Sequence, residues 1–390
     1  MRVLEHLEPN KVFYYFEEIT KIPHGSTNTN QISDYLVEFA KERNLKYLQD
    51  DANNVIIWKE GTQGYENSAP VMLQGHIDMV CEKAPDCTID MENEGLQLVY
   101  EDGTISANGT TLGGDDGIAV AYAMALLDSE DIPHPPLEAV FTTDEEIGML
   151  GAAAMDMSVL KSRIMLNIDS EDEGYLLVSC AGGTTATCHL PIEREEVTGV
   201  VATIEVKDGL GGHSGVEIDK GRANANVILA RALQQLSKQF SYQLICIDGG
   251  KKDNAIPNAS VATIIFTDEF NQDNFNACLD QFNAIIKNEY VTTDPQLGLV
   301  YQINDETSVS ALTKTSTSQV VFMLRNLPSG IQRMSFDIEG LVQTSLNLGI
   351  LKTLDNEVSA SFAVRSSVSS EKEELVDRLV SLMDCIGGSV

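Results

Sequence analysis

Apolar residues recur at helical spacing over 11–22 and again over 30–43. In the second stretch Ile32, Tyr35, Leu36, Phe39 and Ala40 are separated by Asp, Glu and Lys, so both stretches are predicted amphipathic helices. Residues 53–58 and 70–73 read as strands on either side of the turn-rich GTQGYENSAP. A small-residue, apolar helix is predicted over 117–127 after a Gly-Gly turn, with strands over 137–142 and 164–167. Strands alternating with helices through this first part predict an α/β domain whose sheet is mostly parallel and flanked by helices. The pattern changes after CAGGTTA at 180–186. Strands are predicted over 198–207, 242–247, 260–266, 320–325 and 357–364, and helices over 223–239, 272–287 and 370–386. This mixture lacks strict strand–helix alternation and predicts a separate α+β domain, dividing the chain into 1–186 and 187–390. No repeat, low-complexity tract or heptad pattern is present.

Composition narrows the function classes. The 390 residues are 43% hydrophobic and 22% charged, ordinary for a soluble protein large enough to bury its cores without disulfides. Against 59 Asp and Glu stand 26 Lys and Arg, a formal charge of −33. Binding phosphate polymers or anionic membranes needs clustered cations, so neither a nucleic-acid nor a membrane partner is expected. No window approaches about 18 consecutive apolar residues, and the N-terminus is interrupted early by acids, unlike a signal peptide. Seven scattered cysteines without a Cys-x-x-Cys pair fit reduced thiols, and a cytoplasmic location is expected.

The chemically suggestive residues cluster at strand ends of the first domain. His76-Ile77-Asp78 closes the apolar run VMLQG, and alternation puts His76 and Asp78 on one side. That pair suits a metal-ligating imidazole with an orienting carboxylate, although alone it fits a core or surface histidine as well. Leu112-Gly-Gly-Asp115-Asp116-Gly117 offers an aspartate on a tight turn, or simply a capped helix start. Asp144-Glu145-Glu146 follows a predicted buried strand, where one acid could ligate a metal while its neighbour moves a proton; a solvated helix start is the alternative. Asn167-Ile-Asp169-Ser-Glu-Asp-Glu-Gly174 repeats the arrangement. Four such strand ends converge on the sheet edge where open α/β proteins bind ligands. Nitrogen and carboxylate donors together suit zinc.

GHIDMV, TLGGDDGIAVA, TTDEEIGMLGA and NIDSEDEG resemble, in order and spacing, the dizinc aminoacylase/carboxypeptidase superfamily. GGHSGVEIDKGRANA, DNAIPN and VRSSV bring the match closest to its aminoacyl-histidine dipeptidase branch. The resemblance implies a zinc-exopeptidase-like catalytic domain over 1–186 and an inserted α+β lid or dimerisation domain over 187–390. It implies hydrolysis of dipeptides, especially Xaa-His, by a dizinc-activated water. His76, Asp115, Glu146 and Asp169 become the metal ligands, with Asp115 bridging two Zn2+ per subunit (Mn2+ or Co2+ as substitutes). Asp78 orients His76, and Glu145 is the general base that passes its proton to the departing amine. His213, Asn254 and Arg365 become lid residues, the first for the oxyanion and the others for the substrate carboxylate. A homodimer is implied as well. Relatives tend to read NAIPR where this chain reads NAIPN, which puts Asn258 in place of a cation.

The resemblance also implies a return segment beyond residue 390 carrying a further histidine ligand, whereas all six histidines here precede residue 214. The alternatives are a related amidohydrolase (a tripeptidase or an N-acyl-amino-acid deacylase) or a truncated, non-catalytic metal-binding remnant.

Overall fold

The computed structural model describes residues 2–170 and 173–390, so Glu171 and Asp172 of the fourth acidic motif lie outside the described residues. It divides into two compact units, Met1–Tyr175 and Leu176–Val390.

The first unit holds helices α1 (Asn10–Ile19), α2 (Asn30–Glu42), α3 (Gly114–Leu127) and α4 (Leu150–Ala154). Its strands are β1 (Lys46–Gln49), β2 (Val55–Lys59), β3 (Val71–His76), β4 (Leu98–Glu101), β5 (Thr104–Ala107), β6 (Leu137–Thr142) and β7 (Ile164–Asn167). Five of them form one sheet in the order β1-β2-β6-β3-β7. The β6–β3 and β3–β7 pairs are parallel, while β2 and β1 add antiparallel strands at one edge. One face packs on the helices through Phe16, Ile19, Leu36, Val55, Ile57, Met124 and Phe141. The other face of β2 and β6 is covered through Ile56, Val140 and Met155. Cover on both faces explains why β6, LEAVFT, is buried throughout and has no polar alternation.

Within β6, Glu138 is buried but accepts hydrogen bonds from Trp58 Nε1 (3.1 Å) and from the Lys161 and Ser162 amides (3.0 and 2.8 Å). Asn54 bonds both Asp50 and the Gly151 carbonyl, tying the turn before β2 to α4.

The second unit contains β8 (Gly182–Pro191), β9 (Arg194–Lys207), β10 (Gly212–His213), β11 (Gln243–Gly249), β12 (Ala255–Ile256), β13 (Ser260–Phe266), β14 (Gly298–Leu312), β15 (Gly330–Met334), β16 (Val342–Thr353) and β17 (Glu357–Ser366). Its helices are α5 (Ala225–Ser237), α6 (Gln272–Glu289), α7 (Lys314–Asn326) and α8 (Ser369–Ile386). The large sheet runs β14-β9-β13-β11-β16-β17-β8, with β15 beside β16 and every pairing antiparallel. The helices bury Leu229, Leu233, Phe275, Val320, Met323 and Leu379 with sheet residues such as Ile204, Ile264 and Phe362.

One predicted strand is corrected: residues 320–325 belong to helix α7. Ser316, Thr317, Val320, Met323 and Leu324 are buried at helical spacing, and the Thr313 side chain accepts from the Ser316 amide as an N-cap. The apolar run VVFML was too short for its period to separate a strand from a buried helix.

Candidate metal centre

The parallel strands β6, β3 and β7 are neighbours, so the chain leaves all three at the same sheet edge. His76 ends β3, Glu145 and Glu146 follow β6, and Asp169 follows β7. Asp115 and Asp116 stand at the start of α3, after Gly113 at a left-handed φ of 69°. Gly113 lies so close to Met79 that a Cβ there would come within 2.8 Å of its sulfur. Both its conformation and its packing therefore require glycine. Gly75 is constrained similarly, since a Cβ would lie 2.8 Å from the Asp116 Oδ2 that accepts the His76 amide.

Two donor groups result, each with its ligand atoms within 4.8 Å of one another: His76, Asp115 and Glu146, and His76, Asp116 and Asp169. The structure thus brings together all four sequence-predicted ligands and adds Asp116. Sequence reading had left Asp116 inside its motif without a role; the doubled aspartate was the available signal.

Asp78 is fully buried and lies at the centre of a hydrogen-bond cluster. Its carboxylate accepts from Ser26 Oγ (2.9 Å), the Glu145 amide (3.0 Å) and the Glu146 amide (3.3 Å). His76 Nδ1 lies 2.9 Å from the Asp78 carbonyl and 3.5 Å from its Oδ1. With Nδ1 so engaged, Nε2 faces Asp115 Oδ1 at 2.9 Å. Ser26 was also missed by sequence reading. It belongs to a loop in which the Ser26 amide donates to the Met79 carbonyl and the Thr27 amide to Asp144 Oδ1.

The electrostatics are those of a site rich in negative charge. Burial opposes a charged His76, but hydrogen bonds to Asp115 and Asp78 prevail and push its pKa up to about 11. Burial would raise Asp78, yet His76, the Glu145 amide and Ser26 hold it below the usual carboxylate range. His76 likewise lowers Asp115. Burial, reinforced by Asp169, raises Asp116 to about 8. Burial raises Glu145 and, together with the Asp115 charge, Glu146. A proton on His76 and another on Asp116 are what a cluster of this charge holds when no cation neutralises it. One imidazole nitrogen amid carboxylate oxygens fits a divalent metal of the zinc, manganese or cobalt type.

The three candidate lid residues lie in the second unit. His213, on β10, pairs with Ala255 of β12, and the Ser214 amide donates to the Asn254 carbonyl at 2.8 Å. The Gly215 and Val216 amides both approach His213 Nδ1 at 3.3 Å. Nδ1 is therefore the acceptor and Nε2 carries the proton. Burial and the Arg365 charge keep His213 below its ordinary pKa, favouring the neutral ring. Arg365 lies on β17 opposite Gly183, and its Nε is buried without a partner among the described residues. A Cβ at Gly215 would lie 3.2 Å from its guanidinium carbon, so Gly215 admits it. Asn258 is exposed, and its carbonyl accepts from the Gly209 amide.

Comparison with known proteins places this site. The chain is 36% identical over 391 aligned residues to the cytosol non-specific dipeptidase of Escherichia coli (strain K12), covering 99% of this chain and 79% of that protein. It belongs to that family of M20 peptidases. The crystal structure of the aminoacylhistidine dipeptidase from Vibrio alginolyticus shares the fold at 32% identity with a TM-score of 0.76, over 99% of this chain and 79% of that one. The family model for the peptidase dimerisation domain matches residues 204–294, within the second unit. M20 membership makes the chain a metallopeptidase, a hydrolase acting on peptide bonds, and is consistent with the metal-ligand groups at the strand ends.

Proposed function

We propose that this protein hydrolyses dipeptides, Xaa-His among them, with two divalent ions held by His76, Asp115, Glu146 and Asp169. The observation that carries this reading is the pair of donor groups sharing His76, with Glu145 beside them and the backbone of both glutamates fixed by Asp78. Asp115 stands with His76 and Glu146 in one group and next in sequence to Asp116 of the other, and it would be the residue the family resemblance makes common to both ions. When bound, the ions supply Lewis acidity toward the scissile carbonyl and a water nucleophile at neutral pH.

The chain's own residues do the rest. Glu145, whose pKa is raised by burial, accepts the proton of the attacking water and delivers it to the departing amine. Asp78 holds the His76 ring and the Glu145 backbone in one register. His213 offers its Nε2–H to a developing oxyanion, and Arg365, with Asn254, binds the substrate's carboxylate. The assignment of 1–186 to catalysis and 187–390 to lid and dimerisation, the homodimer, zinc as the resident metal and a cytoplasmic location belong to the same reading. The relative named for the cytosol supports the location, and the match to the peptidase dimerisation domain supports the homodimer.

The test is Glu145→Gln. It should lower kcat on Xaa-His dipeptides by roughly a hundredfold to ten-thousandfold while metal content by mass spectrometry stays unchanged. Surviving turnover would remove Glu145 from its role. Cleavage of tripeptides or N-acyl amino acids, with dipeptides untouched, would overturn the substrate class.

A further inference from the structure

Far along the chain from the metal centre, the second unit contains a cleft of about 420 Å³ between α5 and α7. Lys314, Val321, Phe322 and Arg325 line it from one stripe of α7, and Gln234 of α5 and Tyr242 complete the part that matters here. The opposite stripe of α7 is the one buried in the core. Among the described residues no Asp or Glu lines the cleft, in a chain carrying 59 acids against 26 cations.

Arg325 is half-buried, and its Nε donates to Gln234 Oε1 at 2.6 Å. Among the described residues its two terminal nitrogens bond no protein atom, and no carboxylate pairs with it. The neighbouring Arg231, by contrast, is held bidentately by Glu289 at 2.7 and 2.9 Å. Burial and the Arg231 charge both disfavour the charged form of Arg325, and no group among the described residues offsets them. Among the described residues Lys314 pairs with the exposed Asp268 alone, at 3.4 Å. Beside these cations Phe322 leaves 47% of its surface exposed. A guanidinium anchored at Nε presents the remaining edge that carboxylate and phosphate groups bind bidentately. The volume falls within the ~300–1,000 Å³ of small-molecule sites.

We propose that this cleft binds a small organic anion, its phosphate or carboxylate head on Arg325 and Lys314 and its apolar body against Phe322. The site is independent of peptide hydrolysis.

Calorimetric titration of the metal-loaded protein with phenyl phosphate, benzoate and inorganic phosphate tests it. Wild type should bind one or both aromatic anions more tightly than inorganic phosphate, and the two aromatic probes identify which head group is preferred. Arg325→Gln should weaken that binding at least tenfold while dipeptide turnover stays unchanged, and Arg325→Lys should retain part of it. Arg365→Gln, which alters the proposed substrate site, should leave it in place. Equal binding by wild type and Arg325→Gln, loss in Arg365→Gln instead, or no binding of any aromatic probe overturns the proposal. Should Arg325→Gln melt lower than wild type, Lys314→Gln, on the exposed end of the cleft, provides the same comparison in a folded protein.

Discussion

Asp78 shows how little of a site need touch the chemistry. Its carboxylate gathers a serine hydroxyl and two backbone amides, and its carbonyl takes the imidazole. Ser26 therefore acts through Asp78. Ser26→Ala leaves the two amide bonds in place and removes one bond to a charged acceptor, worth about 2 kcal/mol, which as an upper bound is about thirtyfold in kcat/KM. Metal content should not change, and Ser26→Thr should restore most of the rate; a variant with full activity would show that the amides suffice. His76, Asp115, Glu146 and Asp169, which the fold gathers into the donor groups, stand out in the sequence because each follows an apolar run or a glycine turn. Ser26 was not, because 52 residues separate it from Asp78 and only the folded loop joins them. Asp116 was hidden by resembling the capped start of a helix.

At the scale of elements, periodicity was informative for the helices that bury one face, while β6 and β7 stood out as short apolar runs without alternation. Helices α1, α2, α5, α6 and α8 and strands β6, β7 and β13 lie within a few residues of their predicted bounds. Helix α7 was misread from a run of five apolar residues. Strand β16 escaped because Asn347, buried within it, breaks the apolar pattern; its side chain donates to the Asp253 and Ala255 carbonyls instead of packing on carbon. Strand β14 escaped because a polar stretch and a register shift between Ile303 and Glu306 interrupt its alternation.

Glu138 is a further buried polar group with a structural reason. Burial alone would raise its pKa, but bonds from Ser162, Lys161 and Trp58 hold it below the ordinary 4.5. Its contribution is thus complete above pH 4.5 and disappears as the pH falls through the folded value. Glu138→Gln should destabilise the protein by about 2 kcal/mol at neutral pH, with the gap in melting temperature narrowing in acid. A gap independent of pH would mean that the charge is irrelevant.

For the whole molecule, the formal charge of −33 meets its sharpest local expression where four carboxylates and one imidazole converge. In the metal-free protein, His76 gains protons on folding, so its contribution is complete below 6.5 and is lost as the pH climbs toward about 11. Asp116, raised from 3.8 to about 8, resists ionisation up to that pH and adds a cost of the same sign. Chelated protein should therefore melt at progressively lower temperature as the pH is raised from 6.5 to 8, and divalent metal should flatten the slope. A metal-free protein whose melting temperature rises over that range would contradict both shifts.

The sharing of one imidazole by both donor groups has a consequence for metal choice. Nε2 has a single lone pair to give. Whichever ion takes it leaves only carboxylate oxygens from these residues for the other. Were two ions bound, these residues would offer the two positions donors of different softness, the nitrogen-bearing one ranking zinc above manganese more steeply than the one to which they give only oxygens. The position given only oxygens by these residues would then take its metal more from the supply of the surroundings than its neighbour would.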